Sequence, residues 1–168
     1  YFLPKSRAGQ RLAHGEIVDH TFHDGLQNAY DGQLMGCLAD ANSMADKITR
    51  EHMDDYAIES LKRAQLATSR GYFDDEISPV TYQTRKGDIT VNTDESPQKA
   101  VIEKIPTLRP AFGKDGLVTA ANASSISDGA AALMVMSAAK AKSLNLTPLA
   151  VIKAHTSHAR EPERFTHA

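Results

Sequence analysis

Few side chains in this 168-residue sequence are spaced for chemistry. Ser124 and Ser125 present adjacent hydroxyls, but the G-x-S-x-G turn that exposes and activates a serine nucleophile is missing. They stand instead in a run of small residues, Ala120 to Ser125. That run follows the apolar, β-branched Leu117-Val118-Thr119 and precedes a helix-start signal at Ser127-Asp128-Gly129. Small walls let a ligand approach the backbone closely, and a helix start carries N–H groups that need acceptors. The pattern fits holding a ligand better than attacking one. Cys37, the single cysteine, lies in MGCLADA, a packed-helix context that suits a small buried hydrophobe. His155 and His158 are three apart with His167 beyond, and His20 and His23 are also three apart. With no cysteine nearby and no carboxylate at matching spacing, they read as solvated histidines, and no metal is assigned. Asp94-Glu95 would be an acid–base pair only if the two carboxyls converged, and neighbours in a polar loop point apart. Lys5, Arg7 and Arg11 read as solvated surface ahead of a phosphate clamp.

The elements that position these residues follow from period and punctuation. Residues 1–16 mix glycine, proline and basic residues and read as an extended or looping segment. Ile17 to Tyr30 and Met35 to Ile48 carry near-helical apolar spacing, separated by Asp31-Gly32. The clearest helix begins at Thr49, a good N-cap, has Glu51 in its first turn and stops at Gly71. Met53, Tyr56, Ala57, Leu61, Ala64 and Ala67 form its apolar stripe, Asp54 falls outside the stripe, and Glu59 and Arg63 are spaced for a surface ion pair. From Ser78 to Val91 the period changes to two, with Arg85-Lys86-Gly87-Asp88 as the turn of a β-hairpin. Residues 92–107 read as loop with one short helical turn. Asp128 to Ser143 is predicted as a helix, apolar on every side through AAALMVM and therefore buried on every side. Leu149 to Ile152 reads as a short buried strand.

Composition bounds the rest. Hydrophobic content of 41% and charged content of 24% describe a globular protein of one ordinary core or two small lobes. A net charge of −2 gives no general attraction to nucleic acid or to an anionic membrane, and no apolar run has transmembrane length. One cysteine excludes an internal disulfide framework and fits a reducing compartment, cytoplasmic or one such as the mitochondrial matrix. The chain begins at Tyr1, as a processed, trimmed or partial sequence would. Burying Leu133, Val135 and both flanking methionines is worth roughly 1.5–3 kcal/mol each, which rivals a whole domain's stability of about 5–15 kcal/mol. Layers on both sides are needed, and the remaining strand content is too small to supply them, so the chain is expected to be a piece of a larger fold.

Several segments, taken in order, resemble the thiolase family. DGLQNAYDGQLMG at Asp24 to Gly36 resembles the segment that contacts pantetheine, and Ile48 to Val80 resembles the amphipathic helix and following turn. RKGDITVNTDE at Arg85 to Glu95 is similar to the next hairpin and acidic loop. LRPAFGKDGLVTAANASSISDGAAAL at Leu108 to Leu133 is the most specific match. The resemblance implies an α/β, thiolase-like fold of two βαβαβαββ halves in five layers, of which this incomplete chain holds mainly the α+β loop (cap) domain. Residues 1–126 would be that coenzyme A-binding cap, 127–147 a buried helix returning to the first half, and 148–168 the start of the second half.

The family makes or cleaves the carbon–carbon bond of 3-oxoacyl-CoA thioesters, with no cofactor beyond the coenzyme A thioester substrate. Its nucleophilic cysteine lies upstream of the matched region and its histidine and second cysteine downstream, so no catalytic residue is assigned in this chain. Carried over by position, Ser124 aligns with the serine that hydrogen-bonds a pantetheine amide. Leu26, Met35, Ala111, Phe112 and Ala120 align with apolar tunnel residues, and Lys104 or Lys99 stands in for an arginine at the adenine end. Leu34 replaces a histidine found in many acetoacetyl-specific members. The resemblance further implies a homo-oligomer, dimer or tetramer, as the full-length protein. A non-catalytic acyl-CoA or lipid-binding member of the superfamily is the alternative of a different class, and a structural fragment with decayed contacts is the third.

Overall fold

The computed structural model describes all residues, Tyr1–Ala168, and the chain divides into two units, Tyr1–Ser124 and Ser125–Ala168. In the first unit the leading segment makes a 3-10 turn at Ser6–Ala8 and an antiparallel bridge between Phe2 and Val18. The helical spacing of 17–30 yields only a six-residue π-helical turn, Thr21–Leu26, followed by a bridge between Gln27 and Leu34. Helix α1 then runs Met35–Ala45 and buries Leu38, Asp40 and Asn42.

Helix α2, Arg50–Ser69, forms where its signals lie. The Thr49 hydroxyl accepts the His52 N–H at 3.2 Å, satisfying one orphan donor of the first turn. Arg70 closes the helix and Gly71 follows at φ +67°, a left-handed conformation that favours glycine. The expected Glu59–Arg63 pair forms at 2.7 Å with both side chains exposed, so it contributes only about 0.2–1 kcal/mol. The stripe itself is drawn differently. Ala57 is buried, but Tyr56 is 80% exposed and Asp54 only 5%. The Asp54 burial has a local cause: Arg50, one turn back, donates Nε–H to its Oδ2 at 2.7 Å.

The hairpin pairs strand β1, Val80–Thr84, with β2, Gly87–Val91, in the register Val80↔Val91, Tyr82↔Ile89 and Thr84↔Gly87. Only Arg85 and Lys86 make the turn. The Thr84 hydroxyl braces it, accepting from Lys86 N–H at 3.1 Å and donating to the Gly87 carbonyl at 2.7 Å. Residues 92–107 hold more helix than expected: α3, Glu95–Lys99, and a 3-10 helix, Ile102–Thr107, both packed on α2. Asp94 caps α3 by accepting from Ser96 N–H at 3.1 Å, and Glu95 pairs with Lys99 one turn on. The hydrogen bond from Lys99, reinforced by its charge, holds the Glu95 carboxyl below its usual range. Leu38, Ala57, Ile105 and Val118 are the buried apolar centre of this unit.

In the second unit the predicted long helix is corrected to a short one. Helix α4 covers only Ala138–Ser143, capped by the Ser137 hydroxyl, which accepts Lys140 N–H at 3.2 Å. Residues 128–136 carry no helix, and Leu133 is 87% exposed. The cause lies in the pattern: a seven-residue apolar run fits a strand buried on both faces as well as a helix, and period does not separate the two. Either form needs covering layers, and nothing in this unit covers it. The strand predicted at Leu149 to Ile152 is likewise absent, and Leu149 and Ile152 are exposed. A strand with no partner leaves its backbone groups unpaired and does not persist. The chain closes with a 3-10 helix, Pro162–His167. No helix is long and apolar enough to cross a membrane.

Candidate functional site

Three ties join the segments that carry several of the candidate ligand residues of the first unit: helix α1, Ala111–Phe112 and the approach to the small-residue bend. The first is backbone to backbone: Ala111 N–H donates to the Val118 carbonyl at 2.8 Å, setting Ala111 and Phe112 beside the approach to the small-residue bend. The second joins Phe112 to α1. A β-carbon on Gly36 would lie 2.2 Å from the Phe112 ring, so the ring packs against a position that only glycine leaves open. The Cys37 thiol, 3.9 Å from the Phe112 carbonyl, flanks the same contact and is half-buried there, as a small soft side chain filling an interface. The third is a pair of hydrogen bonds: the buried Asp40 carboxylate accepts both Leu117 N–H and Val118 N–H at 2.7 Å. Helix α1, which Met35 begins, the Ala111–Phe112 segment and the approach to Ala120 are thereby tied to one another.

The bend is fixed from inside as well. Thr119 is fully buried, 0% exposed, and its N–H donates to Asn122 Oδ1 at 2.7 Å. Asn122 Nδ2 returns to the Leu117 carbonyl at 3.2 Å, and the Thr119 hydroxyl accepts from Ala121 N–H at 3.2 Å. One asparagine thus closes both ends of a turn three to five residues wide, as asparagine does where a side-chain amide replaces a backbone partner. Ala120 and Ser124 are left exposed on this rigid frame, with the Ser124 hydroxyl at the far end of the bend. An exposed hydroxyl on a small-walled bend held at several points can orient a thin, mostly apolar ligand that carries an amide.

The remaining candidates are placed otherwise. Leu26 is half-buried at the end of the π-helical turn and reaches α1 through the Gln27–Leu34 bridge. Lys104 is exposed on the 3-10 helix, where Arg50 Nη2 holds the carbonyls of Ile105 and of Leu108, the residue just past its end, at 3.2 and 3.0 Å. It belongs to the α2 side of the unit. Lys99 already pairs with Glu95, which favours Lys104 of the two as a residue for an anion. Lys5 and Arg11 line, with His14, a hollow of about 270 Å³ made by one stretch of chain. Sequence reasoning passed over Asp40 and Gly36. The signal for Asp40 was present, since it is the one charged residue in Met35–Ala45.

The close approach at Gly36 is a testable part of this frame. Gly36→Ala is expected to push Phe112 off α1 and to cost about 1–3 kcal/mol, the usual range for an overpacked contact. Equilibrium denaturation beside Gly36→Ala/Phe112→Leu checks it: the second change should recover most of the loss.

A buried-carboxylate clamp, a glycine-seated phenylalanine and an asparagine-locked bend of small residues together fix the geometry of the first unit. The sequence model described as the thiolase N-terminal domain matches residues 1–139, and the chain belongs to the thiolase family. Among individual proteins it is 46% identical, over 97% of its own length, to an acetyl-CoA acetyltransferase of Cupriavidus necator, and 43% identical over its full length to one from Saccharomyces cerevisiae. A crystal structure of the Bacillus anthracis acetyl-CoA acetyltransferase superposes with a TM-score of 0.77 at 43% identity, covering 89% of this chain and 38% of that one. Human mitochondrial 3-ketoacyl-CoA thiolase gives 0.76 at 36% identity with the same coverage. The fold is therefore the thiolase fold, of which these residues are an α/β part. The chain spans 42–43% of the length of the two acetyltransferases it matches.

Proposed function

We propose that these residues are the coenzyme A-binding part of an acyltransferase that cleaves or forms 3-oxoacyl-CoA thioesters. The observation that carries the reading is the exposed Ser124 at the end of a bend tied to α1 and to Ala111–Phe112, within a chain so similar to acetyl-CoA acetyltransferases. In this reading residues 1–126 act as the cap, 127–147 return to the first half of the fold, and 148–168 open the second half. Ser124 hydrogen-bonds a pantetheine amide. Met35, Ala111, Phe112 and Ala120 line the arm, with Leu26 at its edge and Lys104 toward the phosphates.

The reacting groups are assigned outside these residues. Cys37 lies against the Phe112 carbonyl and is placed to pack rather than to react. A thiolate activated by a histidine, acting on the thioester carbonyl within an oxyanion hole, is the chemistry such a cap would serve. The active form is a homo-oligomer in a reducing compartment, which a single cysteine permits.

Coenzyme A titrated calorimetrically into a protein of the relatives' full length tests the reading, together with turnover of acetoacetyl-CoA. Binding with turnover is expected. Binding without turnover would make the protein a non-catalytic acyl-CoA binder, and no binding would remove the reading. Ser124→Ala in that protein is expected to raise KM for the thioester about five- to tenfold, the size of one neutral hydrogen bond, with a smaller change in kcat. An unchanged KM with a lost kcat would contradict the role.

A further inference from the structure

Asp40 is a buried carboxylate that the Ser124 assignment leaves unused. It is 7% exposed, and its Oδ1 accepts from Leu117 N–H and Val118 N–H, residues 77 and 78 positions away, at 2.7 Å each. Its Oδ2 lies so near Gly116 that a β-carbon there would come within 2.5 Å. In an extended strand, successive peptide groups face opposite edges. Two consecutive N–H groups meeting at one oxygen therefore mark a turned backbone, the concave arrangement that takes an anion. Here the anion is supplied by the protein's own helix α1.

The geometry points to Asp40 as a positioning residue for ligand recognition: by gathering the Leu117 and Val118 N–H groups it sets the direction in which the chain enters the bend, and so where the Ser124 hydroxyl stands. This inference rests on the assignment of Ser124 to the pantetheine arm made above. Asn122 locks the bend internally through Thr119 and Leu117, but these bonds cannot orient the bend against α1, because both partners lie within the bend and its approach. Asp40 supplies that orientation. The tie is stronger than a neutral one because the acceptor is charged and sheltered from water. It also couples the two walls, since Val118 gives its carbonyl to Ala111 while giving its N–H to Asp40.

The test uses the full-length protein and three ligands: coenzyme A, pantetheine, and adenosine bisphosphate as the nucleotide end of coenzyme A. Asp40→Asn keeps the shape and one acceptor oxygen but loses the charge, and should weaken coenzyme A and pantetheine about threefold; Asp40→Ala should weaken both about thirtyfold. Adenosine bisphosphate should bind all three proteins alike, and KM for the thioester should rise more than kcat falls. Should Asp40→Ala fail to fold, Asp40→Asn, which preserves volume, carries the test alone. Wild-type binding of coenzyme A with unchanged pantetheine affinity in folded Asp40→Asn overturns the positioning role and leaves the Ser124 reading standing. Equal weakening of adenosine bisphosphate overturns it too, because a residue that only stabilises the fold would loosen both ends. No binding of coenzyme A by the wild type removes both.

Discussion

Replacing Arg50 by methionine is expected to destabilise the protein by about 3–5 kcal/mol, the range for breaking a buried ion pair from one side. Three acceptors depend on this guanidinium: Asp54 Oδ2 at 2.7 Å and the Ile105 and Leu108 carbonyls at 3.2 and 3.0 Å. Asp54 is 5% exposed and its Oδ1 has no hydrogen-bond partner, so nothing else in contact compensates its charge. Methionine retains the aliphatic stem and its packing, which isolates the loss to the charge and its donors. Urea unfolding should show the drop, and Arg50→Met/Asp54→Leu should recover a large share of it. The stranded carboxylate is then gone, leaving only the two carbonyls to find water. A loss below about 1 kcal/mol in Arg50→Met would mean that Asp54 reaches solvent and that α2 does not anchor the 3-10 helix through this pair.

That cluster also marks where sequence reasoning stops. Helix α2 is legible because its signals are local: a threonine that caps, an acid in the first turn, and a glycine that takes φ +67° at the end. The hairpin is legible because alternation at Val80, Tyr82, Ile89 and Val91 is local as well. The burial of Asp54 is not, because periodicity scores a carboxylate as outward-facing whatever its partner. Asp94-Glu95 held a readable signal that the hydrated-loop reading missed, since an Asp followed by an acid is a helix start, and α3 begins there. The small-residue bend is visible in the sequence, yet what holds it is not: Asp40 lies 77 positions from Leu117, and only the fold brings them together. The family resemblance, by contrast, drew on ordered segments across most of the chain, and the matched residues 1–139 carry it.

Protease digestion of the 168-residue chain is expected to begin in residues 128–136, and the same bonds should resist cleavage by orders of magnitude in a protein of the relatives' full length. Leu133, Met134 and Val135 are exposed here, and no backbone hydrogen bond is formed within the run. An irregular, open backbone enters a protease site without any unfolding, so cleavage meets no conformational barrier. Burying these three side chains would contribute roughly 1.5–3 kcal/mol each, and every 1.4 kcal/mol of opening free energy slows cleavage through the open state tenfold. A combined 4.5–9 kcal/mol, by simple addition, corresponds to about three to six decades of protection. Thermolysin, which cuts beside large apolar residues, makes the comparison direct when the first fragments are identified by mass. Helix α2, capped and packed on α3 and the 3-10 helix, serves as the internal standard because its protection should persist in both forms. If the run were cut equally fast in both, it would be a surface linker in the whole protein, and the assignment of residues 127–147 to the first half of the fold would fall. Ser124 would then lead from its rigid bend into open chain, with no wall beyond it to complete a ligand tunnel.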